Sequence, residues 1–375
     1  MGANAVSATN KLVSILIPTY NRPDYFEAAL KSALAQTWQN IEIVVTDDST
    51  TDDTEALVVN YQSKYDNIRY VRNRPGLGAA RNFRKCMSLA RGEYINYLMD
   101  DDLFHPEKIE RMMAIVAADP DVTIVTSPRA MIDKSSAIGA QIASLSSFLQ
   151  RDAILPGKAI ANICLRDVFN YIGEPTTVLF RADSLDEPYG VFAGRAYGCN
   201  ADMASWIPLM CKGKLGYVHA TLSYLRVHEG QQSHELSMHL LGIADWLHQI
   251  QAARQFGLLK DDGDYITAVG RAGNLMITST RGIANHHGGK IAIESEVLPL
   301  FTSLWNQHCM RFAEPAATPS PVVGEAPELL ERVAFDESAY LVANPDVAIA
   351  MANGIFADAY THYVTHGHQE RRKLG

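Results

Sequence analysis

Short apolar runs alternate with segments of helical spacing between residues 12 and 127. Each run is rich in β-branched residues and has the length of one strand, whereas the segments between runs repeat their apolar residues with a helical period. The predicted strands are Leu12–Pro18, Ile41–Thr46, Ile68–Val71, Tyr94–Met99 and Val122–Ser127, and the predicted helices are Tyr25–Ala35, Thr54–Lys64, Leu77–Ala90 and Glu107–Ala118. This alternation predicts an α/β fold, with a mainly parallel, Rossmann-like sheet flanked by helices.

The pattern changes after residue 127. Lys134–Gly157 is rich in Ser and Ala without a clear period, so we expect a variable surface segment there. A strand at Thr176–Phe180, a helix at Met203–Met210 and strands within Leu215–Arg226 are expected to complete the sheet. From Glu235 to Phe312 the spacing becomes helical.

These changes divide the chain into four predicted parts. They are a main α/β domain (residues 11–233), a helical appendage (234–312), a linker rich in Pro and Ala (313–331) and a small C-terminal module (332–375). The module has apolar anchors such as Tyr340 and Val347, but it is too short for a large core. We expect it to pack on the rest of the chain, to bind a partner, or to be marginally stable alone.

Composition narrows the class of protein. Of 375 residues, 47% are hydrophobic and 20% are charged, as in a soluble globular protein, and the net charge of −9 argues against binding nucleic acid through a general positive surface. The five cysteines are widely spread without a CxxC pair, which is typical of reduced core residues. No apolar run is long enough to span a bilayer. We expect a cytoplasmic protein, either free or peripheral at the inner face of the membrane.

Three consecutive carboxylates, Asp100, Asp101 and Asp102, follow the predicted strand that ends at Met99. Adjacent carboxylates repel one another, and a divalent cation at the carboxyl edge of a sheet relieves that repulsion. An acidic turn before the helix that Pro106 opens is the alternative.

Two more segments fall at predicted strand ends, where ligands bind in such sheets. Asp48 follows the second strand, and its carboxylate can accept a ring N–H from uracil, thymine or guanine, or can cap the next turn. The run from Gly76 to Asn82 opens a helix with Arg81 in its first turn. Arg81 stands where a dinucleotide-binding loop has its third glycine, so a diphosphate contact or a surface ion pair is favoured over a dehydrogenase site.

Asp202 begins a predicted helix and has Trp206 one turn later. It fits either a helix cap or a general base in a pocket that Trp206 covers. Arg226 and His228 share one strand face, which suits a phosphate contact and a metal ligand, or a purely structural pair.

In this order, the segments resemble glycosyltransferase family 2, the inverting glycosyltransferases with the GT-A fold. The resemblance covers residues 11–233 and is carried by Val13–Arg22, Ser32–Trp38, Glu42–Ser49, Gly78–Asn82, the aspartate run, Asp202 and His228.

The resemblance implies a role for each candidate. A nucleotide-diphosphate sugar, with UDP favoured, would bind the set Pro18, Thr19, Tyr20, Asn21, Arg22, Asp48, Arg81, Asp100 and Arg226. Asp101 and His228 would hold a Mn or Mg ion, with Asp102 behind them, and Asp202 would be the general base. Glu174 and Trp206 would lie on the acceptor side. The acceptor would be a hydroxyl of a glycan or glycolipid, in bacterial polysaccharide or glycoconjugate synthesis.

Two departures from the family pattern keep an alternative open. Met99 stands at the family's first aspartate, and Ala201 replaces an acidic neighbour of the base. A sugar-nucleotide-binding or assembly module without catalysis is therefore the second hypothesis, and a nucleotidyltransferase with a related sheet is the third. The C-terminal module resembles a short module of bacterial glycan-related proteins, for which docking, glycan binding or structural packing are all open. The oligomeric state is not predicted.

Overall fold

A computed structural model describes residues 11–141, 149–227 and 236–286, together with Tyr340, Asn344 and Val347. The chain divides into two compact units, Met1–Arg311 and Phe312–Gly375. In the second unit Tyr340 and Val347 are buried, as predicted for apolar anchors, and Asn344 donates its side-chain amide to the Tyr340 carbonyl. The predicted linker and the rest of the C-terminal module lie outside the described residues.

The first unit is built on an eight-stranded mixed sheet with the order β3-β2-β1-β4-β10-β6-β13-β9. Its strands are β1 (Val13–Thr19), β2 (Ile41–Asp47), β3 (Ile68–Arg72), β4 (Tyr94–Tyr97), β6 (Val122–Thr126), β9 (Ala153–Pro156), β10 (Leu179–Arg181) and β13 (Lys214–Tyr217). β1 to β4 pair in parallel, as predicted. β10 runs antiparallel to both of its neighbours, and β9 runs antiparallel to β13.

A second, four-stranded sheet lies beyond the acidic run. It has the order β5-β14-β7-β8, with β5 at Leu103–Phe104, β7 at Arg129–Ile132, β8 at Ile138–Gln141 and β14 at Ser223–Arg226. A short hairpin pairs β11 (Val191–Phe192) with β12 (Arg195–Ala196). The second sheet brings the end of β14 next to the residues that follow β4.

Helices cover both faces of the large sheet. They are α1 (Pro23–Leu34), α2 (Asp53–Gln62), α3 (Ala79–Leu89), α4 (Lys108–Ala118), α5 (Gly157–Asp167), α6 (Ala201–Lys212), α7 (Leu236–Ala253) and α8 (Asp262–His286). In α1 the predicted apolar face is fully buried, with Phe26, Ala29, Leu30 and Ala33 at 0% exposure. Within the described ranges, no helix is both long and apolar enough to cross a bilayer.

The core has two parts, one on each side of the sheet. Successive β1 residues alternate between them, since Ile15 and Ile17 belong to one cluster and Leu16 to the other. The larger cluster also contains Trp206 of α6 and Leu247 of α7. The described helices of the predicted appendage therefore share a core with the sheet.

Two segments differ in detail from the predicted elements. The surface segment Lys134–Gly157 contains strands β8 and β9, although residues 142–148 lie outside the described part. The predicted strand at Thr176–Phe180 instead begins as a 3₁₀ turn over Pro175–Thr177. Proline lacks the N–H that a central strand needs, and here it stands at the first position of the turn, where no N–H is needed.

Candidate functional site

The carboxyl end of β1 forms one wall of the candidate site. Thr19 Oγ1 donates to Asp100 Oδ2 at 2.9 Å, and the Tyr20 backbone N–H donates to the same oxygen at 3.2 Å. Pro18 and Thr19 are buried, whereas the Tyr20 side chain is 56% exposed. Asn21 adopts a positive φ of 53°, and its side-chain oxygen accepts the N–H of Thr50 at 2.8 Å. This end of β1 is therefore tied to Asp100 and to the loop after β2, with an aromatic ring left open.

Asp48 accepts hydrogen bonds from the glycine loop, which is the run from Gly76 to Gly78 before α3. Its Oδ1 accepts a hydrogen bond from Asn73 Nδ2 at 2.8 Å, and its Oδ2 accepts the backbone N–H groups of Leu77 at 3.0 Å and Gly78 at 2.7 Å. A carboxylate has about four lone-pair positions, so one remains for a ligand N–H. The sequence left open a base contact or a cap of the following turn, and the structure adds bonds to a loop some 30 residues later.

The glycine loop leads directly into α3. Gly78 has φ of +80°, a conformation that L side chains rarely adopt, and α3 begins at Ala79. Asn82 is buried and donates to the Thr46 carbonyl at 3.2 Å, which holds the first turn of α3 against β2. Arg81 is exposed, with its Nε donating to the Leu77 carbonyl at 2.7 Å. The loop thus presents a helix N-terminus and one exposed guanidinium.

The acidic run places two carboxylates beside one guanidinium. Arg22 Nη1 lies 2.8 Å from Asp101 Oδ2 and 3.6 Å from Asp100 Oδ1. Burial, and next the Asp101 carboxylate, raise the pKa of Asp100 to about 6. Asp100 and Asp101 are buried neighbours, and carboxylate oxygens are the ligands that Mg and Mn prefer. These two side chains are of the donor type that suits a divalent cation.

Asp102 is bonded to two neighbouring segments of the site. Its Oδ2 accepts a hydrogen bond from Thr176 Oγ1 at 2.5 Å, and its Oδ1 accepts the backbone N–H of Arg226 at 2.9 Å. Burial raises the pKa of Asp102 well above its usual value. The residue therefore joins β14 and the Pro175–Thr177 turn to the acidic run.

Arg226 was expected to contact the donor. In this structure its side chain is buried and acts as a clamp, meaning that it bonds to backbone carbonyls on both sides. It is 1% exposed, and its Nε donates to the Asp101 carbonyl at 2.7 Å. Its Nη1 donates to the Asp133 carbonyl at 2.7 Å and its Nη2 to Ser136 Oγ at 3.0 Å. Because the guanidinium is enclosed by protein acceptors, Arg226 fixes the backbone of the acidic run and lies away from open space.

The second expected metal ligand, His228, lies outside the described residues. Among residues 11–141, 149–227 and 236–286, no three His, Cys, Asp or Glu side chains converge as a metal site. The expected pair of Asp101 and His228 accordingly stays a prediction.

Asp202 lies in the first turn of α6 with one donor on each carboxylate oxygen. Asn170 Nδ2 donates to Oδ2 at 2.7 Å, and the Met203 backbone N–H donates to Oδ1 at 2.7 Å. Burial raises the pKa of Asp202 to about 7, with the Met203 N–H opposing that rise and the Glu174 carboxylate adding to it. A carboxylate with a pKa near neutrality has the proton affinity that a general base requires.

Glu174 belongs to the segment that runs from Asn170, which donates to Asp202, to Thr176, which donates to Asp102. Its Oε1 accepts a hydrogen bond from Arg129 Nη2 at 3.0 Å, and a second ion-pair contact joins Arg129 Nε to its other oxygen. Its charge raises the pKa of both Asp102 and Asp202. One small region therefore contains Asp202, Glu174 and the carboxyl end of β4.

Trp206, which was expected on the acceptor side, packs in the core of the protein. Trp206 is fully buried in the larger core cluster, against Phe180 and Tyr189. Its Nε1 donates to the Gly173 carbonyl at 2.9 Å. The indole supports the loop before β10 from inside, because the residue four positions after Asp202 faces the sheet.

Sequence reasoning missed the polar residues that support Asp202. Asn170 and Arg129 both lie in segments with weak periodicity, and neither was singled out. The spacing of Asn170 and Gly173 is typical of a turn in which an Asn side chain accepts backbone N–H groups, and this was the available signal.

Comparison with known proteins identifies the family and the fold. Residues 14–185 match the sequence profile of Glycosyl transferase family 2. An uncharacterized glycosyltransferase of Rickettsia felis is 32% identical over 232 residues, which are 61% of this chain and 36% of that protein. An uncharacterized protein of Mycobacterium tuberculosis is 30% identical over 226 residues, which are 59% of this chain and 69% of that protein. The chain thus spans little more than a third of the Rickettsia relative.

Solved structures show the same fold. S. aureus TarS 1–349 in complex with UDP-GlcNAc has a TM-score of 0.55 at 16% identity, with 80% of each chain covered. A further crystal structure of TarS 1–349 has a TM-score of 0.53 at 15% identity, again with 80% of each chain covered. The chain therefore has the GT-A fold, and its residues 14–185 belong to glycosyltransferase family 2.

Proposed function

We propose that this protein transfers a sugar, with inversion, from a nucleotide-diphosphate donor to an acceptor hydroxyl, with Asp202 as the general base. The donor class that we favour is a UDP-sugar, and the acceptor class is a glycan or glycolipid of bacterial polysaccharide or glycoconjugate synthesis. The protein is expected to act in the cytoplasm, free or peripheral at the inner face of the membrane.

One observation carries this proposal. The segment 170–176 bonds to both carboxylates, since Asn170 Nδ2 donates to Asp202 at 2.7 Å and Thr176 Oγ1 donates to Asp102 at 2.5 Å, so the proposed base lies near the carboxyl end of β4. An inverting transfer needs a base on one side of the sugar and charge stabilisation for the leaving diphosphate on the other. Asp202 is proposed for the first function, and the acidic run is proposed for the second.

The loops after β1 and β2 support the donor assignment. Tyr20 offers an exposed ring, and Asp48 retains acceptor capacity for the ring N–H of a uracil. The N-terminus of α3 and Arg81 suit the diphosphate, since backbone N–H groups and a guanidinium both stabilise phosphate oxygens. Asp100, held by Thr19, is assigned to the ribose side. The UDP-GlcNAc complex of the structural neighbour TarS is consistent with this choice.

Asp101 and His228 are the proposed ligands of a Mn or Mg ion. When bound, such an ion would supply positive charge for the diphosphate oxygens. The chain's own part is to hold Asp101 in place, which Arg226 does through the Asp101 carbonyl and Arg22 does through the Asp101 carboxylate.

In the proposed reaction the acceptor hydroxyl loses its proton to a carboxylate oxygen of Asp202 as it attacks the anomeric carbon. The bond from that carbon to the diphosphate oxygen breaks, and the electron pair leaves with the nucleotide. Arg81 at the helix N-terminus offsets the charge that develops on the leaving group. Glu174, held by Arg129, lies on the acceptor side of Asp202.

The test is a screen of UDP-, GDP- and dTDP-sugars, each with Mn, with Mg and with chelator. Donor hydrolysis and transfer to a glycan panel are measured, together with thermal shifts on binding. We expect a UDP-sugar to give the largest shift and turnover that requires the metal. Asp202→Asn should lower kcat by about 10² to 10⁴-fold and leave UDP binding unchanged.

The matched control is Asp186→Asn, which makes the same chemical change in a largely exposed carboxylate paired with Lys212 at the other end of α6. Its turnover should equal that of the wild type. Tight nucleotide binding without turnover across the whole panel would instead support the binding-module hypothesis.

A further inference from the structure

We propose that Asn170 is a positioning residue for Asp202: its side-chain amide fixes the direction of the carboxylate that accepts the acceptor's proton. This inference rests on the proposed function, since it assigns a partner to the proposed base. It is carried by the 2.7 Å hydrogen bond from Asn170 Nδ2 to Asp202 Oδ2 and by the contacts that orient the amide.

The orientation of the Asn170 amide follows from its other bonds. Asn170 Oδ1 accepts the backbone N–H groups of Ile172 at 3.0 Å and Gly173 at 2.9 Å. An NH₂ group cannot accept either of these bonds, so the oxygen must face the loop. The NH₂ group must then face Asp202, with a further contact of 3.3 Å to the Gly173 carbonyl.

The loop that carries Asn170 is itself fixed from the core. Thr126 Oγ1 donates to the Ile172 carbonyl at 2.5 Å, and Trp206 Nε1 donates to the Gly173 carbonyl at 2.9 Å. Gly173 has φ of +110°, and a Cβ there would lie 3.1 Å from Arg129 Nη1. Because β6, α6 and Arg129 all hold this loop, Asn170 offers Asp202 a donor at a set position.

A fixed donor has two consequences for a carboxylate base. It restrains the side-chain torsion, so that the free lone pairs point in one direction. It also favours the charged form and so lowers the pKa, against the effect of burial. The other titratable or charged groups that act on Asp202 are Glu174, Arg129, Tyr189 and Cys199.

Asn170→Asp tests the bond to Asp202 separately from the bonds that hold the loop. The new carboxylate still accepts the Ile172 and Gly173 N–H groups, so the loop is retained. It places a negative oxygen beside Asp202 in place of a donor, and the two carboxylates must then share a proton. Asn170→Ser provides a second variant, since a Ser hydroxyl can accept a loop N–H but is too short to reach Asp202.

The readouts are kcat/KM for hydrolysis of the UDP-sugar that the screen identifies, measured from pH 5 to 9, and UDP affinity by calorimetry. We expect Asn170→Asp to lower kcat/KM at neutral pH by at least about tenfold and to move the acid limb up by about one pH unit or more. Asn170→Ser should move the same limb upward by a smaller amount. UDP affinity should stay within about twofold of the wild type, because neither variant touches the nucleotide side.

Asn162→Asp is the matched control. Asn162 Oδ1 likewise accepts a backbone N–H, from Leu259 at 2.7 Å, and its Nδ2 lies 3.4 Å from Asp264 Oδ2. The change therefore makes the same pair of carboxylates away from Asp202 and should leave the pH profile unchanged.

If the pH profiles and kcat/KM of Asn170→Asp and Asn170→Ser match those of Asn162→Asp, the assignment of Asn170 is wrong. If Asn170→Asp does not fold, the profile of Asn170→Ser decides. Full activity in Asp202→Asn would overturn the proposed base itself. An inactive Asp202→Asn beside normal Asn170 variants would overturn only the present inference.

Discussion

Asp245, in the middle of α7, accepts a hydrogen bond of 3.0 Å from the backbone N–H of Asn200, two residues before Asp202. The same oxygen accepts the Cys199 N–H at 2.9 Å, and the other oxygen lies 3.3 Å from Arg195 Nη2. Asp245 is fully buried. A helix of the predicted appendage therefore fixes the segment that leads into the proposed base.

Asp245→Ala should destabilise the protein and reduce turnover together. The substitution leaves two backbone N–H groups and the Arg195 guanidinium without this acceptor, which should lower the free energy of unfolding by about 2–4 kcal/mol. Urea unfolding and kcat measure the two effects. Asp262→Ala is the control, because its largely exposed pair with Arg254 should contribute at most about 1 kcal/mol. If Asp245→Ala is clearly destabilised but kcat is unchanged, α7 does not contribute to the function of Asp202.

The pH profile of turnover should have its acid limb near the pKa of Asp202. Burial raises that pKa to about 7, and only the carboxylate form accepts a proton, so kcat/KM should rise as the pH increases through about 7. Glu174→Gln removes a charge that raises the pKa of Asp202, so the limb should move to lower pH. Steady-state rates from pH 5 to 9 measure this shift. A limb that moves upward in Glu174→Gln would contradict the assignment.

Lys108→Met should stabilise the protein or leave its stability unchanged. Lys108 is fully buried, its Nζ donates to the neutral Thr177 carbonyl at 2.9 Å, and burial lowers its pKa well below the usual value. The unfolded chain then binds a proton that the folded protein binds weakly, so this lysine costs stability most at low pH and least as the pH approaches 10. The gain of Lys108→Met, about 1–3 kcal/mol, should shrink accordingly.

Urea unfolding at pH 6, 8 and 9.5 tests the sign. Lys31→Met is the control, since Lys31 is exposed and pairs with Glu27 on the surface of α1. A gain of Lys108→Met that increases with pH would contradict the burial argument.

Arg226→Met distinguishes a clamp from a donor contact. Loss of the bonds to the Asp101 and Asp133 carbonyls should lower the free energy of unfolding by about 2–4 kcal/mol and weaken UDP binding with it. Arg181→Met is the matched control, because Arg181 also donates to backbone carbonyls, those of Pro120 and Val122. It should lose stability while UDP affinity is retained. If Arg226→Met weakened UDP binding at unchanged stability, the original expectation of a direct donor contact would stand.

The parallel half of the fold was predictable because its signals are local. β1 to β4 are β-branched runs that end in polar residues, so the positions of Asp48 and the acidic run at one sheet edge followed from the order of elements. The environment of Asp202 was not predictable in the same way. Asn170 bonds to Asp202, Asp245 bonds to the segment before it, and Arg129 bonds to Glu174. These three residues come from segments far apart in the chain, and spacing within one element carries no information about such contacts.

Trp206 shows the limit of reading one helix alone. Its distance from Asp202 places it about one turn away, but whether that face meets a pocket or the sheet depends on how α6 packs. Phe180 and Tyr189 decide the matter, and they lie in other segments.

The reversed direction of β10 brings a loop that enters a strand next to loops that leave strands at the candidate site. A strand that runs antiparallel to β4 starts where β4 ends, so the segment from Asn170 to Thr176 arrives beside Asp102 before the chain enters the sheet. In the proposed function, the residues for the nucleotide come from loops that leave strands, and the residues for the acceptor come from a loop that enters one. We therefore expect changes in the entering loop to alter which hydroxyl is used while the nucleotide loops keep their sequence. Residues 170–176 are the segment to exchange when acceptor range is compared among relatives.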